Sequence, residues 1–227
     1  MTQTFTSQFD QSMRDYYDQR SNEYDEWYLR EGKFADRLDT DQWHAEVAQL
    51  RERVQHFGHG RLLEIAAGTG WWTQHLVRRA NVIALDYAPS MLQQTRLRVQ
   101  NQQMEVQCVR GDAYALPLAT ASVDGGFFGF WLSHVPLAQL PTFLAEVRRV
   151  VRSGGQVMIV DSAPSAIEQQ PNVEYFHERI LNDESRHQVL KIFHTPATLA
   201  TTLTPLGKVL DTWTTGRFFC GALVEVR

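Results

Sequence analysis

The stretch Leu62-Leu-Glu64-Ile-Ala66-Ala-Gly68-Thr-Gly70-Trp-Trp-Thr73 decides the fold. A short apolar run enters it, two glycines follow with one residue between them, and a helical pattern leaves it. That order predicts a strand, a tight turn and a helix. Glycine at such a turn permits positive φ and lets backbone approach a ligand closely. Downstream, a second apolar run, Asn81-Val-Ile-Ala-Leu-Asp86, ends in a carboxylate. An acid at the end of a second strand can accept both hydroxyls of a ribose.

Spacing separates the adenosine-bearing cofactors that such a turn could serve. A dinucleotide fingerprint wants a third glycine at position 73, where this chain has Thr73. Glu64 sits at the strand end, where negative charge would serve a diphosphate badly and a cation well. That favours S-adenosylmethionine, which carries a sulfonium and an ammonium and no phosphate. The plain alternative is an ordinary strand-to-helix turn. Asp86 likewise has an alternative role as the acid of a helix start, since Pro89 and Ser90 can open the next helix.

Working outward, further strands are expected at 106–111, 123–130 and 155–160, with helices over 71–79, 89–100 and 137–151. A loop around Pro117 joins the third and fourth strands. Strands alternating with helices predict a parallel sheet covered on both faces. Lys208–Thr214 and Arg217–Val226 flank a Thr-Gly turn and predict an antiparallel pair. The expected fold class is therefore α/β, a Rossmann-like doubly wound sheet of seven strands, mostly parallel with an antiparallel last strand. The whole of 1–227 is expected to form one domain. Within it, 1–58 is an N-terminal helical lid, with a helix over 8–30 and a second after Asp39-Thr40-Asp41. Residues 59–161 form the cofactor-binding core, 162–200 a substrate-side insertion with one or two helices, and 201–227 the C-terminal strands.

Over about residues 16–161 the chain resembles the class I S-adenosylmethionine-dependent methyltransferases. The family's first motif, acid-x-Gly-x-Gly-x-Gly, appears as Glu64-Ile-Ala66-Ala-Gly68-Thr69-Gly70, with Ala66 in place of the first glycine. By this resemblance Asp86 is the ribose acid, with Tyr87 and Met91 flanking the adenine. Gly111-Asp112-Ala113 would supply the adenine-side carboxylate and amide, and Phe130 and Trp131 would follow the fourth strand into the same site. The N-terminal run Tyr16-Tyr17-Asp-Gln-Arg20-Ser-Asn-Glu23-Tyr24 is similar to a cofactor lid. Tyr17, Arg20 and Tyr24 would then reach the methionine end; the alternative is an aromatic core stripe. Phe127–Pro136 and Arg179 to Pro196 are similar to the dehydrophos-pathway phosphonate O-methyltransferases and their small-molecule relatives. That likeness implies Arg179 and Lys191 facing a small acidic acceptor, with Tyr28 and His134 beside it.

His134 is also the candidate catalytic residue, as a general base for an alcohol or phenol. An acid acceptor arrives as an anion and needs none. The expected function is methyl transfer to a small molecule, foremost O-methylation of a phosphonate or carboxylate. N- or C-methylation of a neutral metabolite, noncatalytic cofactor binding and nicotinamide chemistry are the rivals.

Composition sets the outer bounds. The chain has 227 residues, 43% of them hydrophobic, with 6 Trp, 7 Tyr and 12 Phe, enough to bury a sizeable core. Lys plus Arg is 22 and Asp plus Glu is 26, so no basic excess points to nucleic acid. Two distant cysteines, Cys108 and Cys220, match neither a metal-ligand spacing nor a disulfide framework, and no metal is expected. No signal peptide or membrane span is read. The expectation is a cytoplasmic protein, monomeric or homodimeric.

Overall fold

The computed structural model describes residues 12–164 and 169–227. Five strands, β1 (Arg61–Ile65), β2 (Asn81–Asp86), β3 (Gln107–Arg110), β4 (Val123–Gly129) and β5 (Val151–Ser162), are followed by a hairpin and a terminal pair, β8 (Gly207–Thr214) and β9 (Phe219–Val226). The main sheet has the order β3-β2-β1-β4-β5-β9-β8. β1 pairs in parallel with both β2 and β4. Strand order therefore reverses at β1, and a crevice opens at the C-terminal strand ends there. β9 runs antiparallel to both β5 and β8. This is the doubly wound, seven-stranded, Rossmann-like sheet expected from the sequence.

Alternation along each strand divides the core between the two faces. Leu63, Ile83 and Phe128 pack in one apolar cluster, and their neighbours Leu62, Val82 and Phe127 in the other. That is the period of two required of a sheet covered on both sides. Helix α3 (Thr40–Gln55) adds Leu50 and Val54 to the second cluster, and α6 (Leu140–Val150) adds Phe143 and Val147 to the first. The helix after β1 is shorter than expected: α4 covers only Thr73–Leu76. Trp71 leaves it to stack on Tyr28, with ring planes 2° apart. Helix α5 (Pro89–Gln100) starts at its proline as expected.

Two expectations are corrected. The segment predicted as one helix over 8–30 is broken. Within the described residues a helix α1 covers residues 12–19, a 3-10 turn covers Arg20–Asn22, and α2 covers Glu26–Leu29. Phe9 and the predicted helix start lie outside the described residues. The break follows from packing. Met13 and Tyr16 join a cluster with Leu181, Val189, Leu190 and Ile192, whereas Tyr28 joins the large aromatic core around Trp43, Trp72 and Phe219. One straight helix cannot serve both partners. Second, the 162–200 insertion is mainly a β-hairpin, β6 (Glu174–Ile180) against β7 (Arg186–Ile192); its one described helix, α7, begins at Pro196. Val189 to Ile192 are all buried, so β7 is covered on both faces while β6 stays at the exposed edge.

The N-terminal segment clasps that hairpin. Asn182 N–H donates to Glu23 at 3.0 Å and its Nδ2 donates to Glu26 at 3.0 Å. Lys33 Nζ donates to the Leu181 carbonyl. On the other side, the buried Glu46 of α3 accepts from Thr215 Oγ1 at 2.6 Å, Arg217 N at 2.9 Å and Phe218 N at 2.8 Å. It thereby pins the β8–β9 turn beside the same segment. No described helix is long and apolar enough to cross a membrane.

Candidate cofactor and acceptor sites

Two cavities meet at the C-terminal rim of the sheet. The first follows the strand ends in order: Ala66 and Gly68 after β1, Asp86 and Tyr87 after β2, Gly111 to Ala113 after β3, and Phe130 and Trp131 after β4. Met91 forms its floor, and Met13, Arg14, Tyr17 and Tyr24 close it from above. Of the residues expected to hold a cofactor, Arg20, Glu64, Thr69 and Gly70 do not line it. Glu64 is buried on β1 behind the turn. Gly70 has φ +77°, and a Cβ there would sit 2.8 Å from the Thr95 Cα, so only glycine fits. Thr69 donates to Asp25 at 2.6 Å, and Asp25 also pairs with Arg98. Thr69 therefore ties the N-terminal segment to the glycine turn.

The turn is carried by unusual backbone. Ala66 takes φ +54°, in the left-handed region, at the position where the family motif has glycine. Asp86 is held at both oxygens: Oδ2 accepts from Gly68 N at 2.8 Å and Oδ1 from Ala88 N at 2.9 Å. These bonds lock the carboxylate at the strand end and leave its remaining lone pairs toward the cavity. Burial still pushes its pKa up, against those backbone bonds. Burial likewise pushes Glu64 up to about 8, and its Oε2 has no hydrogen-bond partner among the described residues. Among the described residues neither the half-buried Asp86 nor the buried Glu64 has a cationic partner, an arrangement suited to a positively charged ligand.

Two cavity-lining residues of α1, Met13 and Arg14, were not among the expected site residues. Arg14 donates to Asp112 Oδ2 at 2.7 Å and lies 3.9 Å over the Tyr87 ring. It sits one helical turn before Tyr17, on the same face of α1, and that spacing was the available signal.

The second cavity is larger, about 310 Å³ against about 100 Å³. It shares Tyr17, Tyr24, Phe130 and His134 with the first. Its other walls come from the N-terminal segment, β6, β7 and the β8–β9 turn. Arg20, Arg179 and Lys191 all line it. Arg20, expected beside the cofactor, instead lies over the Tyr24 ring at 4.8 Å and faces this side. Tyr28 lines neither cavity: it is buried, and its hydroxyl accepts from Trp72 Nε1 at 3.0 Å.

His134 stands in the shared wall with a defined tautomer. A carbonyl can only accept, so the 2.6 Å contact with the Leu190 oxygen makes Nδ1 the protonated nitrogen. Nε2 is then the acceptor, and the Tyr17 hydroxyl donates to it at 2.8 Å. Burial first, and the nearby Lys191 charge second, pull His134 down to about 3. The ring is neutral at pH 7. Lys191 is also engaged: Nζ donates to Ser133 Oγ at 2.7 Å and to the fully buried Asp161 at 3.3 Å. Asp161 accepts in turn from Ser133 N at 2.8 Å, so this ion pair anchors the 3-10 turn Leu132–His134 to β5 and β7.

Comparison with known proteins agrees with this geometry. A family model described as a methyltransferase domain matches residues 62–155. The chain is 33% identical over 154 residues to the malonyl-acyl-carrier protein O-methyltransferase of Halorhodospira halophila, across 66% of this chain and 48% of that one. It is 33% identical over 123 residues to the ubiquinone/menaquinone biosynthesis C-methyltransferase UbiE of Paracoccus denitrificans, across 52% of this chain and 47% of that one. The matched stretch thus spans about half the length of these curated relatives. Among solved structures, the DhpI–SAM–HEP complex matches with TM-score 0.74 at 28% identity, over 95% of this chain and 96% of that one. The DhpI–SAH complex matches with TM-score 0.73 at 26% identity, over 96% and 97%. The chain is thus similar over residues 62–155 to a methyltransferase domain, and its fold is the Rossmann-like fold of S-adenosylmethionine-dependent methyltransferases. Its first cavity fits that cofactor: a carboxylate at the end of β2, the buried Glu64 behind the glycine turn with its Oε2 without a partner among the described residues, and apolar walls.

Proposed function

We propose that this protein O-methylates a small acid, a phosphonate or carboxylate, bound in the second cavity. One observation carries the reading: a cation-rich cavity, with Arg20, Arg179 and Lys191 in its wall, opens directly onto the cofactor cavity. The cofactor supplies an activated methyl group on a sulfonium. The chain's own work is alignment, exclusion of water and placement of charge.

Arg20 and Arg179 hold oxygens of the acceptor other than the attacking one, since a cation on the nucleophile would blunt it. Asp161 already compensates Lys191, so that lysine adds less net charge than its position suggests. His134 has too low a pKa to deprotonate an alcohol efficiently, which suits an acceptor that arrives ionised. Its role is to keep the Tyr17 hydroxyl in place between the two cavities. The relatives methylate at oxygen or at carbon by name; the neutral His134 and the cationic wall favour oxygen of an acid.

The test is a radiolabelled methyl-transfer assay over matched carboxylic, phosphonic and neutral acceptors. Base-labile ester formed only from acids is the expected product. Transfer to neutral acceptors alone would overturn the reading. In the same assay Arg179→Met raises KM for the acid about tenfold, the loss of one charge-assisted hydrogen bond; an unchanged KM removes Arg179 from the site.

A further inference from the structure

The second cavity has a cationic group that the acid-methylation reading leaves unused. Arg30, Arg37 and Arg217 all line it beside the carboxylate Asp39, while the other lining carboxylate, Glu23, accepts from Asn182 N. Asp39 spans two of them loosely, with Oδ1 3.4 Å from Arg30 and Oδ2 3.6 Å from Arg217. Charge-assisted bonds that are fully made measure roughly 2.7–2.9 Å. Three guanidinium groups thus face one carboxylate.

Arg30 is the telling member. It is only 8% exposed, and its guanidinium lies 3.8 Å over the Trp43 ring. Its Nε has no hydrogen-bond partner among the described residues, and the long contact to Asp39 is its one ion pair there. Burying a guanidinium with its Nε donor unmet and only a long contact to a carboxylate is costly unless an anion completes the site. Burial lowers its pKa; Asp39 opposes this without restoring the ordinary value, and Arg37 lowers it further. The scaffold is firm: Glu46 fixes the backbone of Arg217 and Phe218, and the rings of Trp43 and Phe218 flank the guanidinium groups.

We infer that this group is a second oxyanion subsite, so that the acceptor is a small dianion with an acidic group at each end. One end meets Arg20 and Arg179 beside the cofactor cavity, and the other meets Arg30, Arg37 and Arg217. The inference rests on the proposal that the acceptor is an acid bound in this cavity. It adds that the acceptor's second acid is recognised and sets selectivity.

The experiment is titration calorimetry on the full chain saturated with S-adenosylhomocysteine. Malonate, glutarate and pimelate are the probes, each against the monoacid of the same carbon count. At least one diacid binds about tenfold tighter than its monoacid, as one added charge-assisted contact implies. In the double variant Arg37→Ser/Arg217→Ser that preference shrinks to within about twofold. Both side chains are exposed, so the fold survives, and a thermal melt checks this. A wild-type protein that binds monoacids as tightly as every diacid overturns the second subsite and leaves the acid-acceptor reading standing. A diacid preference that persists in the double variant overturns the assignment to these arginines. Binding of neither probe class, with the product cofactor bound normally, defeats the acid-acceptor reading and the second subsite with it.

Discussion

The two cavities share a wall and are built from different material. The cofactor side is assembled from consecutive strand ends, and its key bonds run from Asp86 to backbone N–H groups of Gly68 and Ala88. The second cavity, the proposed acceptor side, is assembled from long side chains on four separate pieces of chain, held by buried charge such as Lys191–Asp161. A backbone-built site keeps its shape through most side-chain changes. A side-chain-built site can change its ligand by a few substitutions, at the risk of stranding a charge. The relatives this chain resembles are named for methylation at different atoms, oxygen and carbon.

The contrast can be broken most severely at Asp161. Its replacement by Ala leaves Lys191 buried without its carboxylate and costs about 3–5 kcal/mol of stability, read as a lowered denaturant midpoint. A loss below about 1 kcal/mol, the value of an exposed pair, would show that the second cavity does not depend on this ion pair. Asp86→Ala acts on the other cavity. It weakens S-adenosylmethionine binding by about 100-fold or more, the loss of two charge-assisted hydrogen bonds, while the free protein stays folded with a lowered melting temperature, since Gly68 N and Ala88 N lose their acceptor. Unchanged affinity in calorimetry would remove Asp86 from the site.

A proton sharpens the comparison further. With its carboxyl at about 8, Glu64 is mostly protonated in the folded protein at pH 7, while an unfolded Glu titrates near 4.5. The folded state therefore binds more protons between these values, and this group's contribution to stability falls as pH rises through about 8. A cationic cofactor nearby reverses the shift. S-adenosylmethionine binding near pH 7 then releases close to one proton, seen as a dependence of binding enthalpy on the buffer's ionisation heat. Glu64→Gln abolishes that dependence; release that survives in Glu64→Gln assigns the proton elsewhere.

The smallest effect is at Ala66. Glycine suits the left-handed region that alanine occupies there, so Ala66→Gly stabilises the fold by about 1 kcal/mol or less, the relief of strain offset by a more flexible unfolded chain. A destabilised variant would mean that the methyl group of Ala66 contributes packing that outweighs its strained backbone.

Legibility in the sequence followed the same division. Asn81–Asp86 and Pro89–Gln100 were read with the bounds they have in the structure, because apolar run, acid and helix-opening proline are adjacent in the chain. The 8–30 segment and the 162–200 insertion were misread in form. Each has its pattern set by a partner distant in sequence: β7 is buried against α1, and the segment breaks after α1 so that α1 packs on β7 and α2 reaches the Trp43 core. Arg14 and the Arg30 group were missed because their meaning lies in what they face.

The chain by itself determined the glycine turn, the acids at successive strand ends and thus the class of cofactor, since each depends on residues a few positions apart. Tertiary structure alone decided that Lys191 is matched by Asp161, that His134 is neutral with its proton on Nδ1, and that Arg30 meets Arg217 across one carboxylate. Those facts depend on which distant segments share a low-dielectric space, and the strand order and hairpin packing set that, not the local pattern of residues.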